Sequence, residues 1–440
     1  MLRESVFCIK TQLSDKSVIL KSTKTGAVAK LSAPQETSLQ DWLKHQNEPK
    51  PDFIDSLCGI NEILVDAKVD EFASWQNELL ETRNNQAKMF SLHLEPTMQC
   101  QLDCGYCVEK GIDRGSGMTD VVFQRSLKWL DDYCESNPEV KLLRLIFFGG
   151  EPLLRKDIVK KSAVIYSQLA KRRQLEYMTE ITTNGELLTE EMAQFLSHYN
   201  WRRVQITLDG PAEIHNARRH GKNGRPTFDR IWSNILMLAH SDYISTVDVR
   251  LSLDNENAEY IPRLIEFMTK AGVQDKIRLS IGFTESSFFV QIKETQEEWQ
   301  AKQALRVWKC ARDNGFKIPD EYTTGPLCVA QAKHSAVLQP DGSLQKCFCT
   351  SGLSCYRFGH ISAGASGYAK DIRYENFDRI NGCIKEKCAY LPICGGGCTY
   401  HAAVENGGTT ESFSKQHCKK VLLQDLNDGL LRLSYGSQDE

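Results

Sequence analysis

The chain has 440 residues, too many for one ordinary hydrophobic core, so two or three domains are expected. Hydrophobic residues make up 41% and charged residues 25%, a balance that excludes both a disordered chain and a membrane-embedded one. A net charge of −3 offers no broad basic field for a phosphate backbone, and residues 1–10 contain no charged segment leading into an apolar run, so a cytoplasmic protein with neither a nucleic-acid nor a membrane partner is expected.

In chain order, residues 18–21 and 27–31 flank Thr23-Lys24-Thr25-Gly26 and read as a hairpin. Helical stretches at 39–45 and 53–57 follow, which makes residues 1–85 a small separate α+β domain. From residue 90 onward short apolar strands alternate with amphipathic helical stretches. The strands are expected at 90–94, 142–148, 177–182, 203–208, 247–253 and 277–282, and the helices at 121–134, 157–172, 190–199, 228–240, 259–271 and 297–314. Six βα units are two short of a closed eightfold barrel, so residues 86–315 are read as an open, partial (β/α)6 barrel of parallel strands. In barrels of this kind the chemistry lies at the C-terminal ends of the strands. After about Tyr322 periodicity fades while Gly and Cys rise, so residues 316–440 are expected to be held by ligands rather than by a core.

Sixteen cysteines are too many for a reducing compartment to use as disulfides, and their clustering points to metal. Cys8, Cys58 and Cys134 stand apart and read as buried thiols. The first strand leads into Cys100-x3-Cys104-x2-Cys107. Three thiolates hold three irons of a 4Fe-4S cluster and leave one iron open to a chelating small molecule, whereas structural zinc is the competing reading. At the second strand tip stands Gly149-Gly150-Glu151-Pro152, where two glycines permit a close backbone approach and the chain supplies acceptors for an ammonium group. The third strand ends in Thr182-Thr183-Asn184-Gly185 and the fourth in Thr207-Leu208-Asp209-Gly210-Pro211, followed by His215, Arg218 and Arg219. Polar groups at successive strand tips converge on one mouth.

This order of motifs resembles the radical S-adenosylmethionine (SAM) superfamily over roughly residues 90–286. The resemblance implies that Cys100, Cys104 and Cys107 bind a cluster, that Tyr106 lies by the adenine, and that Gly149, Gly150 and Glu151 meet the methionine ammonium. It implies further that Asn184 and Thr207 approach the ribose or methionine end and that Arg219 takes the methionine carboxylate, with Arg218 the alternative. The C-terminal cysteines, Cys328-x13-Gly342-x4-Cys347, then Cys383-x4-Cys388-x5-Cys394-x3-Cys398 and Cys418, resemble the SPASM domain of radical SAM peptide-modifying enzymes, which holds two auxiliary 4Fe-4S clusters. By that resemblance Cys328, Cys347 and Cys398 share the first auxiliary cluster and Cys383, Cys388, Cys394 and Cys418 the second. The family has two residues, not four, between the cysteines matching Cys383 and Cys388, a departure expected to loosen or re-aim one ligand. Where the family places a fourth ligand for the first cluster this chain has Tyr322, leaving Cys310, Cys349, Cys355 or an open iron.

Residues 1–85 resemble the winged-helix-like modules that bind leader peptides of ribosomally made precursors by strand addition. Together the resemblances imply a radical SAM oxidoreductase with SAM and three 4Fe-4S clusters, a precursor peptide as substrate and a flavodoxin- or ferredoxin-type reductant. The product implied is a cross-linked peptide. A formylglycine-generating, sulfatase-maturing enzyme is the alternative, disfavoured because those members carry Asp where Phe348 follows Cys347, and a non-catalytic electron carrier is a third reading. No residue stands out as general base.

Overall fold

The structure is a computed structural model that describes all residues except 87, 111, 113, 114, 116, 285–293, 324, 326, 368–377, 407–417 and 438–440. Its centre is a nine-stranded sheet. Six consecutive strands, β6 (Met89–Leu94), β7 (Leu142–Phe147), β8 (Glu176–Thr183), β9 (Trp201–Leu208), β10 (Val247–Leu253) and β11 (Ile277–Phe283), lie side by side in sequence order and all run parallel. The mixed α/β class and the partial six-stranded barrel are therefore present, each strand within two residues of its expected bounds.

Alternation along the strands explains why they were legible. On β10 the side chains of Val247, Val249, Leu251 and Leu253 join the main core, together with Ile231, Trp232 and Ile235 of the helix Phe228–Ala239. The intervening positions face the barrel lumen and are polar. Arg144 grips Glu180 of β8 through two bonds of 2.7 and 2.8 Å, and Asp248 binds both Arg203 and Arg278, so the floor of the lumen is laced by ion pairs. Period-two alternation of this kind marks a sheet with one dry face and one polar face.

The C-terminal segment departs from expectation. Its fading periodicity predicts a segment held by ligands rather than by a core, yet β12 (Ser335–Leu338) pairs in parallel with β6, and β13 (Ser343–Gln345) and β14 (Gly359–His360) extend the sheet beyond it. Ala336, Leu338, Leu344 and Ile361 belong to the main core. These strands are too short to show periodicity, and only their neighbours make them strands. The last helix, Lys420–Tyr435, packs on the helix Glu294–Asp313 through Leu422, Leu426, Leu430 and Leu433 against Ala301, Ala304 and Trp308. Gly429 is the point of closest approach: a Cβ there would lie 2.4 Å from Leu305 Cδ1.

The N-terminal unit holds a three-stranded antiparallel sheet of β2 (Cys8–Gln12), β3 (Val18–Ser22) and β4 (Val28–Leu31), and a two-stranded pair of β1 (Leu2–Glu4) with β5 (Leu64–Asp66). The helix Ala33–Lys44 starts earlier than expected because Ser32 and Gln35 form a capping box ahead of Pro34. The helix Glu71–Gln86 escaped the sequence reading because its apolar stripe is reduced to Trp75 and Leu79. This unit rests on the cysteine-rich segment. Phe7, Trp75 and Leu79 pack on Ile380, Cys383 and Leu391, while Ile9, Leu13 and Ile19 meet Tyr390, Ile393, Leu423 and Leu431.

Candidate active site and auxiliary thiol groups

The three-cysteine loop is clamped at the mouth of the barrel. Gly150 N–H donates to Thr97 O at 3.2 Å and Glu151 N–H to Gln99 O at 2.8 Å, while Asp103 N–H donates to His220 O and Lys222 N–H to Gln101 O, both at 3.0 Å. The loop is thus held between the tip of β7 and the segment after the helix Ala212–Arg218. The two glycines also serve packing within the chain. Cβ atoms on them would fall 2.5 Å from Thr97 O and 2.3 Å from Met98 O, so the close approach they allow is of the cysteine loop itself onto the strand tip.

Glu151 is wholly buried, and its carboxylate accepts from Thr183 Oγ1 (2.8 and 2.9 Å), Asn184 N–H (2.8 Å) and Leu153 N–H (2.9 Å). Its oxygens are spent on tying the second and third strand tips together. Asn184, fixed in this way, brings Nδ2 to 3.7 Å from Cys100 Sγ. Thr207 lies on β9 in register with Arg250 of β10.

The two arginines separate clearly. Arg218 is saturated by carboxylates, binding Asp209, Asp254 and Glu256. Arg219 is buried, donates to Tyr106 Oη at 2.6 Å, and keeps Nε without a partner among the described residues. An orphaned buried guanidinium N–H beside a loop of three thiols suits an anionic ligand group. Burial raises the Cys100 thiol to about 11 and also raises Cys104, the latter opposed by the charge of Arg219. The donor set fits an iron–sulfur cluster with one open corner, because soft thiolates stand on one side and hydrogen-bonding groups for a polar chelator on the other.

A second gathering of thiols lies in the C-terminal segment. Cys383, Cys388, Cys394 and Cys418 line one small cavity together with Tyr390, Leu391, Gly396 and Leu423. The long spacing between Cys383 and Cys388 does not separate them. The helix Ile380–Lys385 ends with Lys387 at φ 49°, Lys387 N–H returns to Ile384 O, and Cys388 N–H donates to Cys383 O at 2.9 Å, so the two extra residues are absorbed in a helix-terminating turn. In the third group Cys347, Cys349 and Cys398 pack with Ala330, Tyr400 and Ala403, and Cys328 acts electrostatically on both Cys347 and Cys398. Among the described residues no three His, Cys, Asp or Glu side chains converge tightly enough to hold a single metal ion.

Three residues of these sites were missed in the sequence. Arg379 is buried at 2% exposure and its charge faces Cys328, Cys394, Cys398 and Cys383, placing it between the two C-terminal thiol groups. Arg250 projects into the lumen over Gly282, where a Cβ would be 2.0 Å from its Nη2, and it faces Tyr106 and Cys349 with no ion-pair partner among the described residues. Glu95, at the end of β6, is fully buried, accepts from Ser351 Oγ at 2.5 Å and has its carboxyl pushed up to about 8 by burial and by Glu109. Single polar residues of this kind carry no local pattern.

A partial barrel of six parallel strands, with a three-cysteine loop after the first and polar groups at the next three tips, defines a radical SAM domain. Residues 94–268 match the family model of the Radical SAM superfamily, and the chain carries a domain of that family. It is 33% identical over 143 residues to the serine-type anaerobic sulfatase-maturating enzyme of Bacteroides thetaiotaomicron, covering 32% of this chain and 34% of that protein. With the cysteine-type anaerobic sulfatase-maturating enzyme of Clostridium perfringens it shares 29% identity over 153 residues, 32% of this chain and 38% of that one. The chain thus spans only about a third of the length of these relatives in the aligned part. In fold it is similar to anSMEcpe with bound AdoMet, at a TM-score of 0.60 and 18% identity, covering 79% of this chain and 93% of the other. Among the described residues no helix is long and apolar enough to cross a membrane.

Proposed function

We propose that the protein uses a 5′-deoxyadenosyl radical to take a hydrogen atom from a side chain of a peptide and closes a cross-link, carbon–carbon or thioether, within a ribosomally made precursor. The observation that carries this reading is the joint placement of three thiol groups, one at the barrel mouth and two in the C-terminal segment beside it. SAM bound at the open corner of a cluster on Cys100, Cys104 and Cys107 supplies the radical on one-electron reduction, from a flavodoxin- or ferredoxin-type donor. The chain's own residues hold and orient it. Arg219 offers its free Nε–H to the methionine carboxylate, Tyr106 lies against the adenine, and Asn184 and Thr207 reach the ribose or methionine end. Gly149 and Gly150 keep the loop seated, and Glu151 fixes Asn184, which narrows its part from ligand contact to positioning.

The C-terminal cysteines would hold two auxiliary 4Fe-4S clusters, which would supply an acceptor for the second electron that a closed-shell product must lose. A fold neighbour holds AdoMet and a peptide together, which supports a peptide substrate here. The N-terminal unit is assigned to leader recognition, because among the described residues β4 pairs only with β3 and leaves an edge for an added strand. Increased amide protection at Val28–Leu31 on adding precursor, read by hydrogen exchange, checks that role.

Formylglycine formation is the second reading, favoured by the sulfatase-maturating relatives and opposed by Phe348, whose ring lies 5.2 Å from Phe148 and 6.0 Å from His93 and brings no carboxylate to the mouth. Anaerobic incubation with dithionite, SAM and precursor tests both. The cross-link reading expects 5′-deoxyadenosine and a peptide lighter by about 2 Da whose tandem mass spectrum lacks fragments inside the closed loop. A hydrazide-reactive product that fragments linearly assigns the protein to formylglycine formation, and absence of 5′-deoxyadenosine reduces it to an electron carrier.

A further inference from the structure

The group formed by Cys328, Cys347 and Cys398 is one thiolate short of closing a 4Fe-4S cluster. At the upstream position where a fourth ligand is sought stands Tyr322, whose ring packs 6.2 Å from Trp308 and whose backbone is held by Asn427. Cys310 is carried on the helix Glu294–Asp313, with Asn314 Nδ2 3.7 Å from its sulfur, and it packs on the barrel core. Cys355 lies exposed on the next turn, Ser354–Tyr356.

Cys349 is placed differently. It follows Cys347 within a single turn of 3-10 helix, Phe348–Thr350, for which Cys347 is the N-cap. The turn is pinned on its far side: Thr350 Oγ1 donates within 2.6 Å of Cys347 O and 2.7 Å of Gln345 Oε1, and Ser351 Oγ donates to Glu95. Phe348 points out toward His93 and Phe148, which leaves the two flanking sulfurs on the other side of the turn. There the thiols of Cys347 and Cys349 hydrogen-bond, and both pack with Cys398 against Ala330, Tyr400 and Ala403.

We propose that Cys349 is the fourth protein ligand of the cluster held by Cys328, Cys347 and Cys398, an inference that rests on the iron–sulfur reading above. All four irons are then bound by thiolates, and no corner remains for a substrate sulfur. The cluster would then serve as an electron acceptor and not as a docking point for the substrate.

The test uses the full chain with Cys100, Cys104 and Cys107 all changed to Ala, so that only the auxiliary clusters remain, at about 8 irons per chain after anaerobic reconstitution. Electron paramagnetic resonance of the reduced protein with and without carbon-13 cyanide reports any open iron. The protein with Cys349 intact is expected to show no carbon-13 coupling. Cys349→Ala is expected either to acquire it at full iron content or to lose about 4 irons, while Cys310→Ala and Cys355→Ala behave as the parent. Cyanide coupling in the parent, or a Cys349→Ala protein identical to it in iron and spectrum, overturns the assignment. Zinc in place of iron overturns the cluster reading itself, an outcome that metal analysis separates from the other two.

Discussion

Arg219 donates to the phenol of Tyr106 at 2.6 Å and so joins the segment after the fourth strand to the middle of the three-cysteine loop. Arg218, one residue earlier, also stands over the Tyr106 ring at 5.1 Å, but its N–H groups are taken by Asp209, Asp254 and Glu256. Adjacent arginines therefore have separable functions. Arg219→Gln is expected to weaken SAM binding about 10- to 100-fold, the worth of a hydrogen bond to a charged group. Arg218→Gln leaves SAM affinity nearly unchanged and lowers the melting temperature, because Asp209, Asp254 and Glu256 lose the cation that joins them. Equilibrium dialysis with labelled SAM, beside thermal melts, checks the pair, and equal losses of affinity would refute the distinction.

Glu95 links the first strand tip to the Cys347 turn through Ser351. Burial foremost, and the charge of Glu109, push its carboxyl up to about 8, with Ser351 and Gln339 bonding to it and Asp341 adding a weaker repulsion. An acid whose folded pKa is raised keeps its proton when the unfolded chain has lost it, so stability falls as pH rises from the ordinary carboxyl range to about 8. Glu95→Gln removes that dependence. The melting temperature of the variant is expected to gain on the parent between pH 5 and 8, and a constant gap across that range would contradict the buried-acid account.

Arg379 sets a buried positive charge between the two C-terminal thiol groups. A cation close to a cluster favours its more negative, reduced state, so Arg379→Gln is expected to lower both auxiliary potentials by something on the order of tens of millivolts. Potentiometric titration followed by electron paramagnetic resonance measures it. A shift confined to one cluster would place the guanidinium beside that cluster alone.

Arg250 faces the lumen near Tyr106, Cys349 and Asp209 and forms no ion pair among the described residues. It is suited to an acidic group of the substrate. Arg250→Gln is expected to raise the peptide KM about tenfold or more while SAM affinity stays as it was. A loss of SAM affinity of the same size would move Arg250 into the cofactor site.

Gly429 allows the last helix to lie on Leu305. Gly429→Ala gains helix propensity but forces a methyl into a 2.4 Å gap, so a net destabilisation of about 1–3 kcal/mol is expected from denaturant unfolding of the holoprotein. Combining it with Leu305→Ala should recover part of the loss, since the small side chain restores the space.

Much of this molecule is written locally. The six barrel strands declare themselves by alternation, because one face meets helices and the other a polar lumen, and the cysteine spacings group the thiols before any coordinate is known. What spacing could not foresee was how the chain spends its extra residues. Four residues between Cys383 and Cys388 look disruptive in a line of text and are taken up by a helix that closes on itself with Lys387 in a left-handed turn. The helix Glu71–Gln86 was missed for the opposite reason, since two buried residues suffice once a neighbouring domain offers a surface to cover them.

The sequence alone determined that a parallel partial barrel carries a three-thiol loop at its mouth and that a cysteine-rich segment follows, because those properties depend on periodicity and on separations of a few residues. Only the tertiary structure decided which arginine keeps an unpaired N–H beside the loop among the described residues, that Glu151 ties strand tips together, that Cys349 stands with Cys347 and Cys398, and that β12 to β14 complete the sheet. Each of these is a meeting of segments distant in sequence. Its direction is set by packing and by the satisfaction of buried polar groups, which no local pattern encodes.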